Sequence, residues 1–157
     1  MRTRVLLSVS MLTAVVLLAG GCAPGPRGDG PSVVRLNSAA AEMAVPDRTV
    51  HRGQVLGVGI ATWNLGKEPL TVTRTGSSVY RVEAARHDGI GWVTFRTYPA
   101  TDAMVLRKLT LEPGSRRDDS VLVTVEPDWP GGEVVRLQAV MNGWPELRMS
   151  DFVTVRP

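Results

Sequence analysis

The segment QVLGVGIATWN, residues 54–64, alternates large apolar residues with small ones. In an extended chain, Leu56, Val58 and Ile60 fall on one face, and the two glycines between them fall on the other. This period-two alternation is typical of a β-strand, and the small second face predicts close packing on both sides. We therefore expect the domain to be organised around this strand.

Further short apolar segments, separated by turn signals, lie on both sides of it. A turn at residues 64–69 leads into the Thr- and Val-rich residues 70–75, and Asp88-Gly89 is a strong hairpin signal. The Ala-rich residues 37–45 fit either a helical turn or an irregular edge. About eight or nine short strands without a long helical pattern predict an all-β fold, an antiparallel immunoglobulin-like β-sandwich.

The N-terminal residues have a different composition. Arg2 and Arg4 precede the apolar residues 5–19, and small residues then lead to Cys22. This order is that of a secretory signal peptide, here a signal helix over residues 1–21. The small residues directly before a cysteine resemble the lipobox of bacterial lipoproteins, in which the cysteine is lipidated and becomes the new N-terminus.

Cys22 is the only cysteine of the chain and the predicted lipidation site. The alternative is a small buried residue that merely ends the apolar run. Residues 22–31 are rich in Pro and Gly and predict a flexible tether, so that residues 32–157 form the folded domain. The expected location is extracytoplasmic, with the chain anchored to the cell membrane or outer membrane through the lipid.

The charge balance excludes some classes of partner. The chain has 18 Lys and Arg against 15 Asp and Glu, and two of the basic residues lie in the predicted signal. The mature chain would therefore be nearly neutral, without a polybasic run or basic and aromatic residues interleaved. Nucleic acid is not an expected partner.

The sequence offers no recognisable catalytic set. His51 and His87 lie at expected loop or strand-end positions, and no Gly-x-Ser-x-Gly elbow occurs. Asp118 and Asp119 directly follow two arginines, which indicates local charge balance rather than a metal site. We expect neither enzyme activity nor a cofactor or metal.

The four tryptophans divide into two pairs. Trp63 ends one predicted strand and Trp92 begins another, so both are expected in the core. Trp129 and Trp144 each precede a proline at a Pro- or Gly-rich break. Each of these two is a candidate contact for a partner, because aromatic side chains anchor interfaces, or else a cap on an open end of the sandwich.

Two long loops that combine aromatic and polar residues are the candidate contact segments. The first, residues 98–104, begins with Tyr98, and the second, residues 127–132, contains Trp129. Tyr98 is therefore a third candidate partner contact.

The order of sequence landmarks from residue 55 to residue 141 indicates a family. The landmarks are Asn64, Glu68-Pro69-Leu70, Ser77-Ser78-Val79-Tyr80-Arg81-Val82, Asp88-Gly89, Trp92 and Leu109-Thr110-Leu111-Glu112-Pro113-Gly114. Their succession resembles the BsuPI family, named for an intracellular proteinase inhibitor of Bacillus. The resemblance implies an immunoglobulin-like sandwich that acts as a binding or proteinase-inhibitory module. The alternative is a non-inhibitory envelope accessory protein that binds a protein or polysaccharide through exposed loops.

Overall fold

A computed structural model describes residues 31–157, so Cys22 and the predicted signal helix lie outside the described residues. The described part is all-β, as predicted, with eleven strands rather than eight or nine. The strands are β1 (Ser32–Leu36), β2 (Ala39–Ala44), β3 (Thr49–His51), β4 (Val55–Asn64), β5 (Leu70–Thr75), β6 (Tyr80–His87), β7 (Trp92–Tyr98), β8 (Leu106–Leu111), β9 (Arg116–Thr124), β10 (Val134–Met141) and β11 (Trp144–Arg156).

The strands form a β-sandwich of two larger sheets and a ribbon. One sheet has the order β1-β2-β4-β9, the other has the order β3-β11-β10-β6-β7, and β5 pairs with β8 in the ribbon. Apolar side chains from both sheets and from the ribbon form one core. Strand pairing is antiparallel except between β3 and β11, which run parallel, so the five-stranded sheet is mixed rather than purely antiparallel.

In strand β4, one face is buried as the sequence alternation predicts, whereas the burial of the other face differs from the prediction. Leu56, Val58 and Ile60 are buried in the core. The expectation of close packing on the second face is wrong at Gly57, which is exposed and on which a Cβ would meet nothing within 4 Å. Farther along the same face Gly59 is half-buried and Ala61 is buried, so only the Gly57 end of this outer face is open.

Strand β2 replaces the helical turn or irregular edge considered for the Ala-rich segment. It pairs with β1 on one side and with β4 on the other, and Ala39 and Ala41 are fully buried. Alanine has little intrinsic preference for strands, so pairing on both sides decides the conformation here.

Asn64 closes one end of the β5–β8 ribbon. Its side chain is fully buried, and its Nδ2 donates hydrogen bonds of 2.8 Å to the carbonyl oxygens of Glu68 and Leu111. Its Oδ1 accepts a hydrogen bond of 2.9 Å from the backbone N–H of Gly66. One side chain thus ties the β4–β5 turn to the end of β8.

The hairpin between β10 and β11 packs against the same ribbon farther along β5. Its turn contains Gly143, which has a φ of 86°. A Cβ on this residue would come within 2.2 Å of the carbonyl oxygen of Thr73. Only glycine fits here, because the turn requires both a left-handed backbone and close approach to β5.

Candidate functional site

The structure places Trp129 and Tyr98 inside the protein, so the prediction that they contact a partner is wrong. Trp129 is fully buried, and its Nε1–H donates to the hydroxyl oxygen of Tyr98 at 3.2 Å. The Tyr98 hydroxyl donates in turn to the carbonyl oxygen of Thr124 at 2.6 Å, and burial raises the pKa of Tyr98. Arg52 also donates to the carbonyl oxygen of Trp129. The 127–132 loop folds inward because it buries a large ring whose polar atom is satisfied.

The other three tryptophans are half-buried. Trp144 begins β11 rather than lying in a loop and packs against the core, as a cap would. Trp63 and Trp92 were expected in the core but lie on outer sheet faces, at 5.1 Å beneath the guanidinium of Arg116 and 5.2 Å beneath that of Arg136. Trp63 shares the outer face of β4 with Gly57 and Gly59, so strand alternation excludes it from the core.

A polar cleft of about 550 Å³ lies between the ribbon and strand β9. Its lining is rich in arginine and serine, and its apolar wall consists of Val79, Pro99, Val121 and Leu122. The lining residues are Arg74, Ser77, Ser78, Val79, Tyr80, Pro99, Arg107, Arg117, Asp119, Ser120, Val121 and Leu122. Three positive charges and one negative charge therefore face the same space.

Two of these arginines lie directly opposite each other. The ribbon register pairs Val72 with Leu109, and two positions further it pairs Arg74 with Arg107. By alternation both pairs share one face of the ribbon, on which Val72, Leu109 and Arg74 are buried and Arg107 is exposed, so that face changes from apolar to doubly positive as the ribbon leaves the core. Like charges directly opposite across two strands destabilise the pairing.

The guanidinium group of Arg74 is held rigidly. Arg74 is 8% exposed, and its Nη1 donates to the carbonyl oxygens of Gly76, Ser77 and Ser78 at 2.6, 2.8 and 3.1 Å. Its Nε is buried without a hydrogen-bond partner. Within residues 31–157, no carboxylate forms an ion pair with Arg74 or Arg107.

The third arginine has its own partner. The Nε and Nη2 of Arg117 donate to the two carboxylate oxygens of Asp119 at 2.8 and 2.7 Å. Nearby, the hydroxyl groups of Tyr80 and Thr62 share a buried hydrogen bond of 2.7 Å, and burial raises the pKa of Tyr80 to about 12. Tyr80 is therefore neutral at physiological pH, and the uncompensated charge in the cleft comes from Arg74 and Arg107.

The loop between β7 and β8 lies beside the cleft and exposes Met104, which is 91% accessible. The loop is fixed by Asp102, whose carboxylate accepts hydrogen bonds from the hydroxyl of Ser77 and from the backbone N–H groups of Ser77 and Ser78. The hydrogen bond from the Ser77 hydroxyl is the main reason that the pKa of Asp102 lies below its usual value. Of the predicted 98–104 segment, the exposed part is thus residues 100–104, whereas Tyr98 is buried and Pro99 is half-buried.

The described residues offer no metal centre and no membrane-spanning helix. In residues 31–157, no three His, Cys, Asp or Glu side chains are grouped so that they could hold a metal ion. No helix in this part of the chain has the length and hydropathy to cross a bilayer. His51 and His87 are exposed at the ends of β3 and β6.

No protein-family model and no curated protein sequence matches this chain. Among solved structures, it is similar to the sporulation control protein Spo0M of Bacillus subtilis, with 13% identity, a TM-score of 0.50, and coverage of 78% of this chain and 51% of that one. A β-glucosidase of Listeria innocua is similar with 13% identity and a TM-score of 0.49, and the match covers 76% of this chain and 16% of the β-glucosidase. The CARDB domain of a Pyrococcus furiosus protein is similar with 14% identity and a TM-score of 0.40, and the match covers 82% of this chain and 98% of the CARDB domain. This chain thus spans about half of Spo0M, and the likeness to Spo0M shows the fold alone.

Proposed function

We propose that this chain is a lipid-anchored extracytoplasmic protein whose sandwich domain binds a protein partner. The anchor is proposed from the sequence before Cys22, which resembles a lipoprotein signal. The binding surface is proposed to comprise the exposed loop residues 100–105 and the arginine-lined cleft beside them. The proposal assigns no catalysis to the chain.

The observation that carries the proposal is the fixed presentation of Met104. An exposed methionine is adaptable in shape and suits a contact with another protein. The Asp102 carboxylate ties its loop to the turn at Ser77 and Ser78, and the backbone N–H of Gly76 donates to the carbonyl oxygen of Val105 at 2.8 Å. A loop held in one conformation loses little conformational entropy on binding, which favours affinity.

Proteinase inhibition is the specific form of this function that the BsuPI resemblance favours. A rigid loop that occupies a protease cleft would block the enzyme sterically and would need no chemistry of its own. A panel of proteases titrated with the full-length chain in detergent tests this form. Stoichiometric loss of activity for one protease supports inhibition, and unchanged activity across the panel leaves the accessory binding role.

Pull-down from the native cell envelope tests partner binding itself. Met104→Asp introduces a charge into the exposed loop of the proposed surface, and Ile90→Asp is its matched control because Ile90 is also almost fully exposed, at the β6–β7 turn. We expect Met104→Asp to lose the partner and Ile90→Asp to retain it. Equal capture by both variants would contradict the proposed surface.

The anchor has a separate test. Mass spectrometry of the mature protein should find Cys22 as the N-terminal residue carrying lipid, and Cys22→Ser should release the protein from the membrane fraction. An unmodified Cys22 in a membrane-bound mature chain would contradict the anchor.

A second candidate function, polysaccharide binding, is favoured by an aromatic cluster on the outer face of the five-stranded sheet. The ring of Trp92 lies 5.4 Å from those of His87 and Phe152. Partly exposed aromatic rings offer apolar faces with polar edges, which suit sugar rings. Quenching of tryptophan fluorescence by envelope glycans in the original chain, and its loss in Trp92→Ala, would support this candidate; fluorescence that glycans leave unchanged would contradict it.

A further inference from the structure

We propose that the cleft between the ribbon and β9 binds an extended acidic peptide segment of the partner, with a carboxylate of that segment held between Arg74 and Arg107. This inference rests on the proposed function, because it names the chemistry of the protein that the domain binds. It concerns a different part of the surface from Met104.

Two guanidinium groups line the cleft without an internal counter-charge. Arg74 uses Nη1 for three carbonyl oxygens, and in residues 31–157 no acceptor bonds to its Nη2 or to the guanidinium of Arg107. Both side chains line the cleft from directly opposed positions. A carboxylate entering between them would accept charge-assisted hydrogen bonds from each, which are the stronger class in proteins.

The opposed arginines also reduce the stability of the ribbon. Placing Arg74 opposite Arg107 adds repulsion, and the buried Nε of Arg74 lacks a partner. An inward charge on a sheet edge can discourage aggregation, but one arginine on β8 would serve that purpose. Arg74 on β5 also ties down residues 76–78 through its three hydrogen bonds, but its charge stays uncompensated and repels Arg107 unless an anion binds between the two.

The edge of strand β9 favours a peptide over a small inorganic anion as the ligand. Among the described strands, β9 pairs only with β4, so its other edge is unpaired. The Tyr98 hydroxyl covers that edge at Thr124, whereas Ser120 and Leu122 line the open cleft, and Leu122 is 67% exposed. An extended segment could add to this edge through its backbone while its acidic side chain reaches the arginines. A phosphate ion would use the charges but not the edge or the apolar wall.

The test is fluorescence anisotropy with the full-length chain in neutral detergent. The probe is a labelled peptide that alternates Val and Glu, and its partner probe replaces each Glu by Gln. Arg107→Ala removes one proposed ligand. Lys108→Ala is the matched control, because Lys108 is the next residue of β8, carries the same charge, is exposed like Arg107, and lies on the opposite face of the strand.

We expect the Glu peptide to bind and the Gln peptide not to bind. Arg107→Ala should weaken binding about tenfold or more, since a charge-assisted hydrogen bond is lost. Lys108→Ala should change binding by less than about twofold, since salt screens an exposed charge outside the site. Arg107→Gln, with circular dichroism of both variants, separates loss of binding from loss of folding.

Several results would overturn the inference. Equal weakening by Arg107→Ala and Lys108→Ala would assign binding to general electrostatics. Displacement of the peptide by inorganic phosphate, or tighter binding to phosphatidylglycerol vesicles than to the peptide, would assign the cleft to phosphate or membrane. Absence of peptide binding would also refute it. If the envelope pull-down still captures a Met104-dependent partner, the inference fails while the proposed function stands.

Discussion

Each end of the β5–β8 ribbon holds a buried polar side chain, and the two ends differ in whether its polar atoms all have hydrogen-bond partners. At one end, every side-chain polar atom of Asn64 has a backbone partner. At the other end, the Nε of Arg74 has none, and its cross-strand neighbour is Arg107. A fully satisfied buried network stabilises a fold, whereas a partly satisfied one lowers its stability. We infer that the Asn64 end maintains the fold and that the arginine end serves binding.

The largest effect on stability is expected at Gly143, which lies next to Thr73 and Arg74 of β5. Gly143→Ala should reduce the free energy of unfolding by about 3 kcal/mol or more, because left-handed strain adds to a Cβ clash with Thr73. Gly53→Ala isolates the strain, since Gly53 has a similar φ of 84° but open space at the Cβ position. That control should lose about 1–2 kcal/mol. If denaturant unfolding showed an equal loss of unfolding free energy in Gly143→Ala and Gly53→Ala, the close contact of Gly143 with β5 would be contradicted.

Asn64→Ala is expected to rank next. It leaves two buried carbonyl oxygens and the N–H of Gly66 without their partner, which should lower the free energy of unfolding by about 2–4 kcal/mol. Asn142→Ala provides the comparison at the arginine end, where this half-buried side chain donates to the carbonyl oxygen of Ser78 at 3.0 Å. Asn142→Ala should lower the free energy of unfolding by only about 1 kcal/mol. If Asn142→Ala cost as much as Asn64→Ala, the two ends would not differ as described.

A smaller effect is expected from Tyr80, at the base of the cleft. An unfolded tyrosine loses its proton near pH 10, whereas the folded pKa of Tyr80 is about 12. The stability that comes from keeping Tyr80 protonated in the folded state is therefore fully present below pH 10, and it is lost as the pH rises from 10 to about 12. Unfolding measured across the window should be less pH-dependent in Tyr80→Phe, which should itself lose about 1 kcal/mol at neutral pH. Tyrosinate absorbance in the folded chain that rose fully at pH 10 would contradict the burial of Tyr80.

Local sequence patterns were sufficient for much of the fold and for little of the site. The alternation in β4 correctly places Leu56, Val58 and Ile60, because period two is a property of the extended backbone itself. The same rule places Trp63 on the outer face, so that signal was available in the sequence. The burial of Trp129 depends on its long-range contact with Tyr98, which no local pattern contains.

The arginine pair required the register of two separate strands. Arg74 follows Val72 at the period of two, and Arg107 precedes Leu109 in the same way, so each could be placed from sequence on the strand face that carries core residues. On that face Arg74 is buried and Arg107 is exposed. That they lie opposite each other depends on the pairing of β5 with β8 across the intervening hairpin of β6 and β7. Tertiary pairing, rather than local propensity, creates the candidate site.

The most direct test of the difference between the two ends is denaturant unfolding of Arg107→Met. If Arg107 serves binding rather than folding, its removal relieves repulsion with Arg74, and the free energy of unfolding should stay equal or rise by up to about 1 kcal/mol. Lys108→Met, which removes a charge from the other face of β8, should leave it unchanged. A loss of about 2 kcal/mol or more in Arg107→Met, comparable to that of Asn64→Ala, would contradict the account.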